Sequence, residues 1–246
     1  MFRYHLLIEY EGTKFIGWQS QPTGPSIQKL IQKIISKLLK EKVVLIGAGR
    51  TDAGVHSYGQ VAHFDTKKKI LNKHRFLGSM NFFLNKKLIS IVDLKKKNNK
   101  FHSRFSAKKR IYNYVIFNRT SMPSIDKYRG WHVKNNLNLK LMKRGAKYFE
   151  GTHDFSAYRS SKCSAKSPVR TISFVKIRKS KNKIEIKFQS KSFLQQQVRS
   201  MVGCLKYLGE NKWSLQKFRK VLSSRKRNLC APPAPAHGLY LEKIIY

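Results

Sequence analysis

At 246 residues, with 41% hydrophobic and 12% aromatic side chains, the chain is long and apolar enough for one large domain or two small ones, which excludes a disordered basic tail. Its 52 Lys and Arg face only 12 Asp and Glu, and the formal net charge of +40 repels itself unless a polyanion or counterions neutralise it. Nucleic-acid phosphates and an anionic membrane surface both fit that charge. Part of the lysine excess fits an AT-rich coding bias, but Arg recurs where such drift favours Lys, so nucleic acid is the expected partner. No stretch approaches the roughly 18 uncharged apolar residues of a membrane span. The opening MFRYHLLIEY alternates like a strand and has no cleavage pattern. Three cysteines (Cys163, Cys204, Cys230), odd in number and without CxxC spacing, read as reduced thiols of a cytoplasmic protein. None of the 8 histidines forms the i, i+4 pair of a helical metal site, so neither metal nor membrane is expected.

In chain order, Phe2, Tyr4, Leu6, Ile8 and Tyr10 alternate with other residues and predict a first strand ending at Glu11-Gly12. Ser26 is placed to cap a helix in which Ile27, Leu30, Ile31, Ile34, Ile35, Leu38 and Leu39 form one apolar stripe. Residues 43–46 predict a short strand, 60–64 another, 71–84 a helix and 89–94 a further strand. The lysine run at 95–97 with Asn98 and Asn99 reads as a polar loop near the division between halves, here 1–104 and 105–246. Residues 110–118 predict a long strand, and Leu139, Met142, Ala146 and Phe149 a helix stopping at Gly151. A hairpin follows over 171–178 and 184–189. An amphipathic helix runs from Leu194 to Gly209, and a short one begins near Leu215. The proline-rich 231–236 reads as an extended linker before a last strand over 239–245. Each half thus mixes strands with helices, giving an α+β class with two similar units of mainly antiparallel sheet, helices on one side and one extended mixed sheet.

The string from Gly47 to His56, with Arg50-Thr51-Asp52-Ala53-Gly54-Val55 at its centre, carries the chemistry. A phosphate-binding P-loop requires Lys-Ser/Thr after its glycines, which is missing here. A dinucleotide fingerprint requires glycine where Asp52 stands, and a carboxylate there repels pyrophosphate. What remains is a glycine-flanked turn that presents Arg50 and Asp52 to a ligand, or a plain tight turn bearing a surface acid. An Asp nucleophile must stay ionised under a base, and an opposing Arg lowers its pKa by roughly one to three units. Arg199, one position off the apolar stripe at Val198, is a candidate for that partner; a solvated helix charge is the competing reading. Tyr112 is suited to stack on a base, or is simply a core tyrosine on an inward strand face.

These segments together resemble the TruA-type tRNA pseudouridine synthases. GAGRTDAGVHSYGQVAHF (47–64) resembles the family's catalytic signature. FHSRFSAKKRIYNY (101–114), FLQQQVRSMVG (193–203), APAHGLYL (234–241) and EYEGTKFIGWQ (9–19) resemble its other conserved segments, in order and over nearly the whole length. The resemblance implies a pseudouridine synthase fold with a basic catalytic cleft. It implies Asp52 as nucleophile, Arg199 as its salt-bridge partner and Tyr112 stacked on the target uracil. Arg50 would support the flipped nucleotide, with Thr51, His56 and Arg110 as further substrate-binding candidates. It also implies uridines 38–40 of the tRNA anticodon stem-loop as targets, a homodimer in the cytoplasm, and no cofactor, because the isomerisation changes no oxidation state. One departure is Gln197, where the family usually has Met. Arg75, Lys108, Lys109, Arg159, Lys162, Lys166 and Arg170 are candidates for phosphate contacts. Two rivals compete: a non-catalytic RNA-binding protein, and a glycosidase-like hydrolase. The latter needs two carboxylates, and only Glu9, Glu11 and Asp65 lie near Asp52 in sequence.

Overall fold

The structure is a computed structural model describing residues 1–246, and the chain divides into two compact units. The first comprises Met1–Lys108 and Leu241–Tyr246, the second Lys109–Tyr240. The division therefore falls at Lys108 instead of after Arg104, and the end of the chain returns to the first unit.

In the first unit, β1 (Phe2–Tyr10) pairs antiparallel with β3 (His56–Thr66) on one side and β4 (Ile89–Lys97) on the other. Tyr4, Leu6, Ile8 and Tyr10 point to one face and bury against α1 (Ile27–Leu39), while α2 (Lys73–Leu84) closes the same core through Met80 and Leu84. The alternation of β1 and the stripe of α1 meet there: Ile27, Ile31, Ile35 and Leu39 are all buried. Each such side chain contributes about 1.5–3 kcal/mol of transfer free energy.

Three expectations need correction. Ser26 sits at the cap position of α1, but its hydroxyl makes no cap bond. Instead the carbonyls of Gly17 and Trp18 accept from the Ile27 and Gln28 N–H groups at 3.3 and 3.0 Å. The strand expected at 43–46 shrinks to β2 (Ile46–Gly47), because α1 side chains take the backbone groups a ladder would use. Val43 N donates to Ser36 Oγ (3.1 Å) and Leu45 N to Gln32 Oε1 (3.0 Å). The lysines at 95–97 are not a loop: they end β4, in register with His5, Tyr4 and Arg3. Long cations on such a strand discourage pairing with another chain.

In the second unit, β5 (Lys109–Asn118), β9 (Lys183–Ser190), β8 (Val169–Ser180) and β7 (Gly151–Asp154) follow one another in antiparallel order, and the short β6 (Trp131–Val133) runs parallel to β5. Both units are mixed strand and helix, the α+β class expected. Phe149, Phe155, Tyr158 and Phe218 join α3 (Leu139–Lys147) to α5 (Leu215–Ser224) in an aromatic cluster. Helix α4 (Gln197–Gly209) packs beside α3, with Gly145 against Leu208. The last strand, β10 (Leu239–Ile245), matches its expected bounds, and its later residues lie beside β3, where Ser57 Oγ donates to Leu241 O at 3.0 Å.

The segment at 231–236 is no linker. Ala231 and Ala234 are buried, and the Pro232 carbonyl lies against Gly203 of α4. The thiols of Cys204 and Cys230, distant in sequence, share a hydrogen bond at 3.4 Å and form no disulfide.

Candidate functional site

Asp52 opens a four-residue turn closed by the Val55 N–H donating to its carbonyl at 3.2 Å. Gly54 takes φ +77°, as the third position of a type II turn requires. Residues on either side of the acid are pinned. Thr51 Oγ1 bonds the Tyr10 hydroxyl at 2.8 Å, and the Thr51 carbonyl accepts from Trp18 N at 3.1 Å. The Gly54 N–H donates to the Phe15 carbonyl at 3.3 Å. Gln60 Nε2 ties the Gly49 carbonyl at 2.9 Å. His56 is 2% exposed, its Nδ1 accepting from the Gly12 N–H at 3.0 Å with Glu11 Oε1 3.4 Å away.

Three of these ties, from Gly12, Phe15 and Trp18, come from one loop, residues 11–18, which also caps α1. It passes under the Asp52 backbone so closely that a Cβ on Gly17 (φ +111°) would lie 2.6 Å from the Thr51 carbonyl oxygen. Thr51 and His56 thus turn inward and fix the turn, while Asp52 stays half-buried and Arg50 is exposed.

In the second unit, Tyr112 stands on β5 at the edge of the core, with Phe193 edge-on at 5.3 Å between ring centroids. Arg110, two residues earlier on the same strand and also buried, donates through its guanidinium to the Lys191 carbonyl. Arg199, in the first turn of α4, is half-buried. Its Nε donates to the Ala234 carbonyl at 2.7 Å, and its own carbonyl accepts from Ala234 N at 2.9 Å. The next carbonyl, Pro235, accepts from the Tyr114 hydroxyl at 2.8 Å. Burial pushes the Tyr114 phenol well above its ordinary pKa, against an opposing pull from the Arg199 charge, so it remains a donor. Gln197 is fully buried: its Oε1 accepts from the Leu194 N–H at 2.8 Å, and its Nε2 has no hydrogen-bond partner. Where an apolar side chain would only pack, Gln197 ties down the entry to α4.

The phosphate-contact candidates divide by exposure. Arg75, Lys108 and Lys109 are exposed, as are Lys162 and Lys166. Arg159 and Arg170 are half-buried and hold their own loop, donating to the carbonyls of Ala165, Ser167 and Val169. Burial pushes the Arg170 pKa down.

Two of the three carboxylates near Asp52 in sequence are engaged by other residues, and Glu9 is exposed. Asp65 makes a bidentate pair with Arg3 at 2.8 and 2.6 Å, and that pairing holds its carboxyl below the usual range. Glu11 serves Thr13 and faces His56. No group of three His, Cys, Asp or Glu side chains is arranged to hold a metal ion.

Two functional supports escaped sequence reasoning. The loop at 11–18 reads as the end of a strand within the EYEGTKFIGWQ resemblance, and its hold on the Asp52 turn is not legible there; its glycines at 12 and 17 are the available signal. The Ala234-Pro235 carbonyls, which seat Arg199 and Tyr114, left no residue-type signal at all.

The chain matches a family model described as tRNA pseudouridine synthase over residues 6–106 and 146–246. It is 61% identical over 246 residues, the whole of both chains, to the tRNA pseudouridine synthase A of Pelagibacter ubique (strain HTCC1062). It is 41% identical over 244 residues to that of Neorickettsia sennetsu (strain ATCC VR-367 / Miyayama), covering 99% of this chain and 100% of the relative. It is 42% identical to that of Paramagnetospirillum magneticum (strain ATCC 700264 / AMB-1), covering all of this chain and 96% of the relative. With a family model spanning both units and relatives matched end to end, the chain belongs to the TruA-type tRNA pseudouridine synthases, isomerases that act on tRNA.

Proposed function

We propose that the chain isomerises uridines 38–40 of the tRNA anticodon stem-loop, with Asp52 as nucleophile on a flipped-out uridine. The observation that carries this is the Asp52 turn itself: its backbone is tied on both sides while the carboxylate-bearing residue stays partly open. A nucleophile fixed before substrate arrives saves orientation entropy at the transition state. In the reaction the N1–C1′ bond breaks and a C5–C1′ bond forms; C5 loses a proton and N1 gains one, so nothing is oxidised or added. The Asp52 carboxylate adds to C6 of the ring or C1′ of the ribose, or takes a ribose proton, and each route needs it ionised.

In this reading Arg199 is the counter-charge that keeps Asp52 ionised, and Tyr112 stacks on the uracil while it turns. Base–aromatic stacking is worth roughly 1–3 kcal/mol and tolerates rotation of the ring. Arg50, exposed beside the turn, holds the strand that the flipped nucleotide leaves, and Arg110 supports the substrate side of β5. Thr51 and His56 act through the backbone they fix. The protein works in the cytoplasm as a homodimer; no helix is long and apolar enough to cross a membrane.

The experiment is to incubate the protein with unmodified tRNA transcript and map pseudouridine. Product at 38–40, lost when those uridines are replaced by cytidine or when Asp52 is replaced by Asn, is the expected result. Product confined to another arm of the tRNA would overturn the anticodon assignment, and undiminished product from the Asn variant would overturn the nucleophile.

A further inference from the structure

The sheet of the first unit has α1 and α2 on one face only. On the other face Arg3 and His5 of β1 and His63 of β3 meet Phe101 and Tyr246, and the segment from Asn98 to Lys108 lies over them. This segment contains FHSRFSA, a stretch to which the isomerisation itself assigns no task.

Its backbone is bonded at almost every residue. Arg3 donates to the carbonyls of Asn99 and Phe101, both at 2.7 Å. Ser103 N donates to His63 Nδ1 at 3.1 Å, Ser103 Oγ to the Ile46 carbonyl at 2.7 Å, and the Tyr246 hydroxyl to the Ser103 carbonyl at 2.7 Å. His102 Nδ1 accepts from the N–H groups of both Arg104 and Phe105, at 3.1 and 3.3 Å, and Ser106 N closes the turn on the His102 carbonyl at 2.9 Å.

At the tip of this fixed turn Phe105 stands 74% exposed. The His102 ring lies 4.4 Å from it at 35°, and the Arg104 guanidinium sits 5.5 Å from its centroid. A phenylalanine held rigidly in water forgoes its burial free energy and gains nothing for the fold. Arg104 lies against it, Lys100 and Lys108 are exposed within five residues of it in the chain, and Lys97 sits over the ring of Phe101 in the same segment. A flat apolar ring in a cationic setting, with its ordering entropy already spent by the fold, fits one class of ligand: an unpaired nucleobase on a polyanionic strand.

We propose that Phe105, backed by His102 and flanked by Arg104, is a stacking platform for a base of the RNA substrate other than the uridine being isomerised. The inference rests on tRNA being the substrate, and binding and conversion are read separately so that the two can fail independently.

The test uses the full chain and unmodified tRNA transcript, comparing Phe105→Ala, Phe105→Leu and Phe105→Trp with wild type. Because the side chain is exposed, all three should unfold at the wild-type temperature. The Ala variant is expected to raise the tRNA Kd roughly 5- to 150-fold, the value of one lost stack, with Leu similar and Trp restored to within about threefold. Saturating the Ala variant with tRNA should recover conversion at the Asp52 site. Wild-type affinity in the Ala variant would overturn the platform. Rescue by Leu would also overturn it, because a non-aromatic side chain cannot stack. A change in sedimentation without a change in tRNA affinity would make Phe105 a contact between copies of the chain, which likewise overturns it. A wild-type protein that binds tRNA through Phe105 yet forms no pseudouridine would leave the platform standing and remove the isomerase reading instead.

Discussion

The two units hold the side chains proposed to act, Asp52 and Arg199, by different means. In the first, Asp52 is positioned through the main chain: a loop of backbone carbonyls and amides grips the residues before and after it, and Gly17 lets that loop come close. In the second, Arg199 is positioned through its own guanidinium, whose Nε is seated on the Ala234 carbonyl of a proline-stiffened segment. A short carboxylate has two torsions, so fixing its backbone confines its oxygens to a few positions. A long arginine has four, and the fold fixes the head group directly. The contrast teaches where each unit is fragile: the first at the loop that grips the turn, the second at the seat of the side chain.

The largest effect that would break this comparison comes from Gly17→Ala. The new methyl meets the Thr51 carbonyl at 2.6 Å, at a φ of +111° that L-residues avoid. We expect about 1–3 kcal/mol of strain and, as the Asp52 turn shifts, a single-turnover rate lower by about 100-fold. Gly203→Ala is the matching change in the second unit, since its methyl would press on the Pro232 carbonyl. The clash there is tighter, 2.1 Å, but φ is ordinary, the shift reaches Arg199 only through 232–234, and alanine's better helix propensity offsets about 1 kcal/mol. We expect a rate loss nearer tenfold by kinetics, with the tRNA Kd unchanged; equal losses at the two glycines would erase the distinction. Thr51→Val removes one buried hydrogen bond to Tyr10, costing about 1 kcal/mol in denaturant unfolding. It should lower the rate less than either glycine change.

The smallest effect is pH-dependent. Burial, followed by the nearby Arg3 charge, pushes the His63 pKa down to about 4, and His5 and His102 shift the same way. The unfolded chain therefore takes up protons from about pH 6.5 downward while the folded chain does not, so stability falls as pH drops from about 6.5 to 4. A protonated His63 Nδ1 exchanges its bond from Ser103 N for one donated to Ser103 Oγ, 2.8 Å away. Thermal unfolding followed between pH 7 and 4.5 should show this decline, and His63→Gln should reduce it without touching the Asp52 turn. A flat profile would contradict the neutral-histidine account.

Most of the framework was legible in the sequence, and the failures share a cause. The stripe of α1, the alternation of β1 and the bounds of β10 are side-chain patterns, and side-chain patterns survive folding because burial creates them. Residues 43–46 look like a strand because Val43 and Leu45 are apolar; nothing in their types says that Ser36 and Gln32 will take their amides. Lysines at 95–97 look like a loop until β1 supplies a partner. The site divides in the same way. The glycine-flanked turn holding Asp52 announces itself by composition, whereas the carbonyls of Gly17, Trp18, Ala234 and Pro235 belong to every residue type and are invisible before the chain is folded. Phe105 belongs to the FHSRFSA motif, but its 74% exposure is visible only in the structure.

The most direct test of the central claim is the single-turnover conversion of tRNA by Asp52→Asn at saturating protein, with tRNA affinity measured on the same preparation. The account predicts an affinity within about threefold of wild type, because phosphate and stacking contacts are untouched, and no detectable pseudouridine. Conversion by the Asn variant at the wild-type rate would contradict it.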